Sequence, residues 1–431
     1  MTLTPDLLAR ELATSRDRSL ALLDPLDEHD LTRQVSPLMS PLVWDLAHIG
    51  NYEELWLLRE VAGVAPLRPE IDRLYDAFEH PRAERPTLPI LGPADTRAYL
   101  AGVRSHVLDV LDHTAFDGRP LVQDGFVFGM VVQHEHMHAE TILATLQLRG
   151  GNRTLPLDAP LPAGRPIPAH DDVLVAGGES VQGTATDPWS LDNERPAHGI
   201  CLPSFRIDRV PVTNAMYAGF LEAGGYSDPR LWTDRGWEHL QSSGRRAPMT
   251  WKPDGAGGWT CARFGETVTL DPEAPVEHIC WYEADSYARW AGRRLPTEAE
   301  WEKACGWDPV AGRLRRFPWG DEDPTPAHAN LGQRATRPAP VGAYPAGASA
   351  YGVEQMIGDV WEWTASGFEP YPGTRAFPYR EYSEVFYGGD FRVLRGGSWA
   401  THPTAVRTTF RNWDLPVRRQ IFSGFRTARG V

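Results

Sequence analysis

An α+β chain of two domains, a helical bundle followed by a strand- and loop-rich domain, is the architecture the sequence predicts. Three observations carry it. The 431 residues exceed what one small core organises. Four amphipathic segments crowd into the first 150 positions, and a proline-dense stretch separates them from a second half punctuated by Gly, Pro and Trp.

The helical half opens with "TPDLLARELATSRDRSLALL", where Thr4 suits the N-cap and Pro5 the first helical position. "SPLVWDLAHIGNYEELWLLRE" repeats that entry at Ser40 and Pro41. "GPADTRAYLAGVRSHVLDVLDH" is the third helix, and "FVFGMVVQHEHMHAETILATLQLRGG" the fourth, ending on Gly150 and Gly151. Four such helices suggest an antiparallel bundle. The long connection from Glu60 to Leu91 has the length of a functional loop.

From Leu155 to Ala169 the text reads "LPLDAPLPAGRPIPA", whose five prolines exclude an interior helix or strand and mark a linker or surface strap. The expected division is 1–154, a linker over 155–172, and a second domain over 173–431. Only Trp44 and Trp56 of the 16 tryptophans precede the linker. The rest lie among short segments that read as strands and loops, with helices at "VTNAMYAGFLEAG" and "TEAEWEKACG".

Composition narrows the function. An apolar fraction of 42% and a charged fraction of 23% are those of a soluble globular protein. The net charge of −14 argues against general nucleic-acid binding, and there is no apolar run of bilayer length or signal-peptide pattern. Four cysteines without CxxC spacing do not form a disulfide framework, so a reducing cytoplasm is expected. Lysine occurs only at Lys252 and Lys303, so a carboxylate-binding site here is built from arginine.

"QHEHMHAET" (133–141) carries the chemistry. Helical residues four apart share a face, while residues two apart point about 200° away. His134 and His138 therefore join Val131, Ile142 and Leu146 on one inward stripe, and His136 is expected to face solvent or to support the ligands from behind. In the second helix Trp44, His48, Tyr52 and Leu55 form another inward stripe. One inward histidine is ordinary core; three, two of them at i and i+4, point to a metal held by His48, His134 and His138. Imidazoles suit Zn, Fe, Co, Ni or Cu, and three protein ligands leave open positions of a catalytic site. "HEHMH" also satisfies the H-E-x-x-H pattern of zinc proteases, with Glu135 as general base.

With both halves read, the chain resembles over its whole length the ergothioneine-pathway sulfoxide synthases (EgtB type). The first part resembles a DinB-like four-helix bundle whose three-histidine site matches His48, His134 and His138. The second resembles a formylglycine-generating (sulfatase-modifying) domain of C-type-lectin-like fold, through "LDNERPAH", "RVPVTNAMYAGFL", "RLPTEAEWEKAC", "FPWGD", "GDVWEWT", "RVLRGGSW" and "GFR". "PLMSPLVWDLAHIG" and "FRNWDLPVRRQIF" extend the likeness. No cysteine follows Cys305, so the late cysteine pair of formylglycine generation is missing and that reaction is excluded. The second domain then serves as a scaffold whose loops close over the metal.

The resemblance implies Fe(II) as cofactor and O2 as co-substrate. The reaction joins the sulfur of γ-glutamylcysteine to C2 of the imidazole of hercynine (Nα-trimethylhistidine) as a sulfoxide. It places Arg82 and Arg85 on the thiol substrate's carboxylates, Asp414 and Arg418 on its amine and carboxylate end, and Tyr379 as proton donor, with Tyr382 as runner-up. Trp413 and Tyr382 face the trimethylammonium group. Met137 departs from the pattern: related chains carry Gln there to hydrogen-bond the substrate imidazole, and a thioether donates no hydrogen bond. The alternatives are the same chemistry on histidine and cysteine (ovothiol type) or a seleno-sugar (selenoneine type), and a non-catalytic, metal-stabilised ligand-binding protein. The expected partners are small molecules only, acting on a monomer, with room for a structural calcium ion in the C-terminal domain.

Overall fold

The computed structural model describes residues 4–151, 155 and 159–431, and the chain divides into two compact units. The first holds the N-terminal helices together with two later excursions, Thr186–Trp189 and Phe264–Glu266. Residues 1–3, the expected domain end at 152–154 and the linker positions 156–158 lie outside the described residues.

The first unit is built from α1 (Pro5–Leu23), the short α2 (Glu28–Thr32), α3 (Leu42–Glu53), α4 (Pro93–Asp112) and α5 (Phe126–Arg149). Thr4 caps α1, its hydroxyl accepting from the Leu7 amide at 3.2 Å. The expected Ser40 cap of α3 is absent: Pro41 occupies the cap position with no side-chain bond, because the Ser40 hydroxyl accepts from Arg85 instead. Helix α3 continues through Glu54–Glu60 with the wider π-helical turn, a distortion that tends to accompany functional sites. Helix α5 packs on α1 and α3, and α3 on α4. Leu8, Leu12, Val103, Val107, Val127 and Ile142 are fully sealed in the core.

A charged cluster runs through that core. Glu135 of α5 accepts from Arg16 of α1 at 2.8 Å and from Ser15 at 3.2 Å. Glu53 of α3 accepts from Arg16 and from Arg104 of α4, each at 2.6 Å. Burial pushes the Glu53 carboxyl up, but the two guanidiniums outweigh it and hold it below the usual range. Glu135 therefore ties helices together and cannot serve as a protease base, which removes the zinc-protease reading. His136, for which a solvent-facing or a supporting place was expected, is only 2% exposed, which excludes the first.

In the second unit, the strand Phe205–Asp208 pairs antiparallel with Asp172–Val175 and Ala428–Gly430. A four-stranded sheet orders Asn412–Asp414, Arg392–Arg395, Trp361–Gly367 and Ser423–Gly424, the last pair parallel. Helices cover Asn214–Glu222 and Glu298–Gly306 as expected, and also Asp234–Ser243 and Trp281–Trp290. The proline-rich stretch from 159 onward is a strap on this unit: the Ala159 amide donates to the Arg334 carbonyl at 3.0 Å, and that of Arg165 to Val341 at 3.2 Å.

The recurrent motifs of this unit turn out to be halves of buried ion pairs. Arg395 of "RVLRGGSW" and Arg411 both grip Glu298 of "TEAEWEKAC" at 2.7 Å, and Arg395 also reaches Glu302 at 2.7 Å. Arg426 of "GFR" forks onto Glu362 of "GDVWEWT", and Arg407 onto Glu194 of "LDNERPAH". Gly396, at φ +92°, lets the chain turn where a Cβ would lie 2.4 Å from the Met356 carbonyl.

Breaking a sealed pair strands the surviving charge. Glu135→Ala is expected to lower the unfolding free energy by about 3–5 kcal/mol in denaturant titration. A loss below about 1 kcal/mol would show that the cluster does not hold α1, α4 and α5 together.

Candidate metal centre

The three stripe histidines converge as the sequence predicts. Ring centroids are 5.1 Å apart for His48 and His134, 4.7 Å for His48 and His138, and 4.6 Å for His134 and His138. One potential ligand atom from each lies within 4.8 Å of the others. No second group of three or more His, Cys, Asp or Glu side chains is so arranged among the described residues.

Two of the rings, His48 and His134, are held from the side or from behind. The His48 Nδ1 lies 2.7 Å from the Tyr75 carbonyl; a carbonyl only accepts, so Nδ1 carries the proton and Nε2 keeps its lone pair for a metal. The same segment anchors Trp44, whose indole donates to the Leu74 carbonyl at 3.0 Å and whose ring stacks on His48 at 4.9 Å. Tyr52 stacks on His134 at 3.7 Å. The suspicious 60–91 connection thus carries an outer support of the site: the tight helix Pro69–Tyr75 presents two carbonyls to α3. The Tyr75 hydroxyl accepts from the Leu91 amide at 2.8 Å, fixing the far end of the loop.

The electrostatics favour a cation. Burial, with His138 beside it, pushes His48 down to about 3, and burial, His138 and His48 hold His134 well below the usual histidine range. Both rings are neutral at pH 7, with lone pairs in a poorly solvated space. Nδ1 of His134 and of His138 are buried with no hydrogen-bond partner. Three imidazoles on inward faces fit a divalent transition metal of the kind the resemblance implies.

The other expected site residues fall in two groups. Arg82 is half-exposed and donates to the Leu38 carbonyl at 2.9 Å. Arg85 is buried, donating to the Ser40 hydroxyl at 2.6 Å and to the carbonyls of His80 at 2.9 Å and Ala77 at 3.3 Å. Its guanidinium lies 3.5 Å over Trp44, completing an Arg85–Trp44–His48 stack, and burial lowers it to about 10, still charged at neutral pH. Met137, half-buried, sits three residues from His134 on the same side of α5.

In the second unit Tyr379, Tyr382 and Trp413 form an aromatic series, with successive centroids 6.0 Å apart. Trp413 stacks on Phe368 at 4.1 Å. Asp414 follows it, 3.5 Å from the Arg418 guanidinium. Burial pushes the Tyr382 phenol well above 10, which makes it a poor proton donor beside Tyr379. What sequence reasoning missed is the anchor of this tyrosine segment. The Ser383 hydroxyl donates to buried Asp192 at 2.6 Å, the Phe377 amide donates to the same carboxylate at 3.3 Å, and Asn193 donates to Ser383 at 3.0 Å. The only signal was an Asp-Asn pair inside "LDNERPAH". Tyr75 was also not assigned as a support of His48, because a contact made across the 60–91 connection leaves no local spacing.

Comparison with known protein families defines the class. Residues 158–431 match the sulfatase-modifying factor enzyme 1-like domain, and residues 11–142 the DinB superfamily. The second part also aligns with the formylglycine-generating enzyme of Streptomyces coelicolor, 34% identical over 62% of this chain and 92% of that one. Over the full length, the chain is 57% identical to the hercynine oxygenase of Mycolicibacterium smegmatis, covering 98% of this chain and 99% of that one. It is 55% identical to that of Mycobacterium tuberculosis, covering 99% of each. The chain belongs to the hercynine oxygenase family.

The depressed histidines set a pH dependence. An unfolded chain takes up protons near pH 6.5, whereas folded His48 resists until about 3. The unfolded state therefore gains protons first, and stability falls as pH drops below 6.5, by at most about 1.4 kcal/mol per pH unit per histidine. Metal-free protein is expected to lose unfolding free energy between pH 7 and 5, with a flatter slope in His48→Phe. An unchanged slope in that variant would contradict the burial of the ring.

Proposed function

We propose that this chain is the sulfoxide synthase of ergothioneine biosynthesis, acting on hercynine and γ-glutamylcysteine with O2 at a ferrous centre. The observation that carries the reading is the convergence of His48, His134 and His138 in a chain aligned end to end with hercynine oxygenases. When bound, ferrous iron supplies activation of dioxygen and acidification of a coordinated thiol.

The stoichiometry fixes what the side chains must do. Forming the C–S bond and oxidising sulfur to the sulfoxide removes four electrons, which reduce O2 fully. One oxygen atom enters the product and the other leaves as water, its two hydrogens matched by those lost from the thiol and from imidazole C2. A group that delivers a proton to reduced oxygen and recovers one from the substrates closes the cycle. Tyr379 is assigned that role, and the half-buried, neutral Tyr382 that of a wall beside it.

Arg82, Arg418 and Asp414 hold the thiol substrate by its carboxylates and amine, where planar guanidinium forks suit carboxylate geometry. Arg85 acts with them as the fixed cation above Trp44, its donors already engaged. Trp413 and Tyr382 offer aromatic faces to a trimethylammonium group. Met137 favours a second reading on one point, the imidazole acceptor: it leaves ring orientation to another group and keeps histidine, as in ovothiol-type chemistry, as the competing substrate. A seleno-sugar, as in selenoneine-type chemistry, is the competing donor. A non-catalytic, metal-stabilised binding protein would consume no oxygen.

Two outcomes are expected. Anaerobically Fe(II)-loaded protein consumes O2 only with both hercynine and γ-glutamylcysteine, and the product mass is that of the conjugated S-oxide; turnover on histidine or on cysteine in preference would overturn the substrate assignment. Tyr379→Phe lowers sulfoxide formation by about 10²–10⁴-fold while leaving the KM for the thiol within about twofold. Full activity in that variant would remove Tyr379 as proton donor.

A further inference from the structure

The supports of the three histidines are unequal. His48 has the Tyr75 carbonyl on Nδ1, whereas Nδ1 of His138 has no hydrogen-bond partner. Facing it, 3.6 Å away, is Oδ1 of Asp45. Asp45 lies one turn before His48 on α3 and is 1% exposed, and its Oδ2 is likewise buried without a partner. A sealed carboxylate with an open oxygen is costly unless it receives a proton donor or a cation. The gap exceeds hydrogen-bond length by about 0.5 Å, within reach of a small rotation of either side chain.

We propose that Asp45 is a positioning residue of the metal centre: its carboxylate takes the Nδ1–H of His138 and so presents Nε2 of that ring to the metal. The role rests on the three-histidine reading above. It gives α3 two functions, one ligand at His48 and one support for the ligand that α5 supplies, so the two helices are locked in mutual register at the site. A hydrogen-bonded carboxylate also makes the imidazole a stronger donor, and such partners commonly account for 10–100-fold in metal affinity. The same carboxylate lies in the field of Arg82 and Arg85, which places it between the proposed thiol-carboxylate arginines and the metal ligands.

The alternative for Asp45 is purely structural, because an acidic residue in the first turn of a helix complements the helix dipole. The two are separable. In the full-length protein, Co(II) binding is followed by its visible absorption for wild type, Asp45→Asn and Asp45→Ala, and thermal melting is recorded without metal. The His138 Nδ1–H signal is followed in the Zn(II)-loaded form by 15N-edited NMR. The role proposed here gives a Co(II) dissociation constant raised about 10–100-fold in both variants, a displaced or lost His138 Nδ1–H signal, and metal-free melting no lower than wild type in Asp45→Asn. A dissociation constant within about twofold of wild type, or a fall in metal-free melting with metal affinity unchanged, overturns it. His138→Ala serves as the reference: should it bind Co(II) as wild type does, the ligand set itself is wrong and the role of Asp45 falls with it.

Discussion

Three imidazoles gathered on inward helix faces are the constraint on which the first unit depends. Two of the three sit at i and i+4 on α5, and the third comes from α3, so the site exists only if these helices keep their register. That register is held from the opposite side by charge. Glu135, one residue from His134 but on the other face of α5, is clamped by Arg16 and Arg104. Glu53, five residues beyond His48, shares the same two arginines. Each ligand-bearing helix thus has a metal face and an ion-pair face, and the arginines of α1 and α4 fix the distance between them.

The second unit solves a related problem with the same chemistry. Its strands are short and its loops long, so apolar burial alone leaves much backbone to be positioned. Arg395, Arg407, Arg411 and Arg426 are fully buried, and each spans from a late segment of the chain to a carboxylate in an earlier one. Such pairs add little net stability over an apolar core, but their fork geometry specifies one arrangement of loops. Arg411, bonded to Glu298, immediately precedes the Asn412–Asp414 strand that carries Trp413 and Asp414, so the framework and the assigned substrate residues are contiguous in the chain. This is why a domain of the formylglycine-generating type can lose its cysteine pair and still keep its motifs: the motifs belong to the framework.

Much of this was legible in the amino-acid text. The i, i+4 spacing and the apolar stripe of α5 identified His134 and His138, and the stripe of α3 identified His48, because helical periodicity converts position into direction. The tyrosine, aspartate and arginine assignments came from the family likeness, since residues on loops have no periodicity to read. For His136 the stripe left a solvent-facing and a supporting place open, and its burial removes the first, because α5 is packed on more than one side. The Ser40 cap failed for a similar reason: Arg85, 45 residues away, claims the hydroxyl. Asp45 was invisible for the opposite reason, since an acidic residue in a first helical turn looks ordinary until His138 is seen beside it.

On the proposed reading three imidazoles hold one ferrous ion and leave room for the thiol substrate. Iron K-edge X-ray absorption on anaerobically loaded protein is the decisive measurement. The expected result is scattering from three imidazoles in a shell otherwise filled by light oxygen ligands, and a new sulfur scatterer on adding γ-glutamylcysteine. A shell with fewer than three imidazoles, or one that gains no sulfur from the thiol, would contradict it.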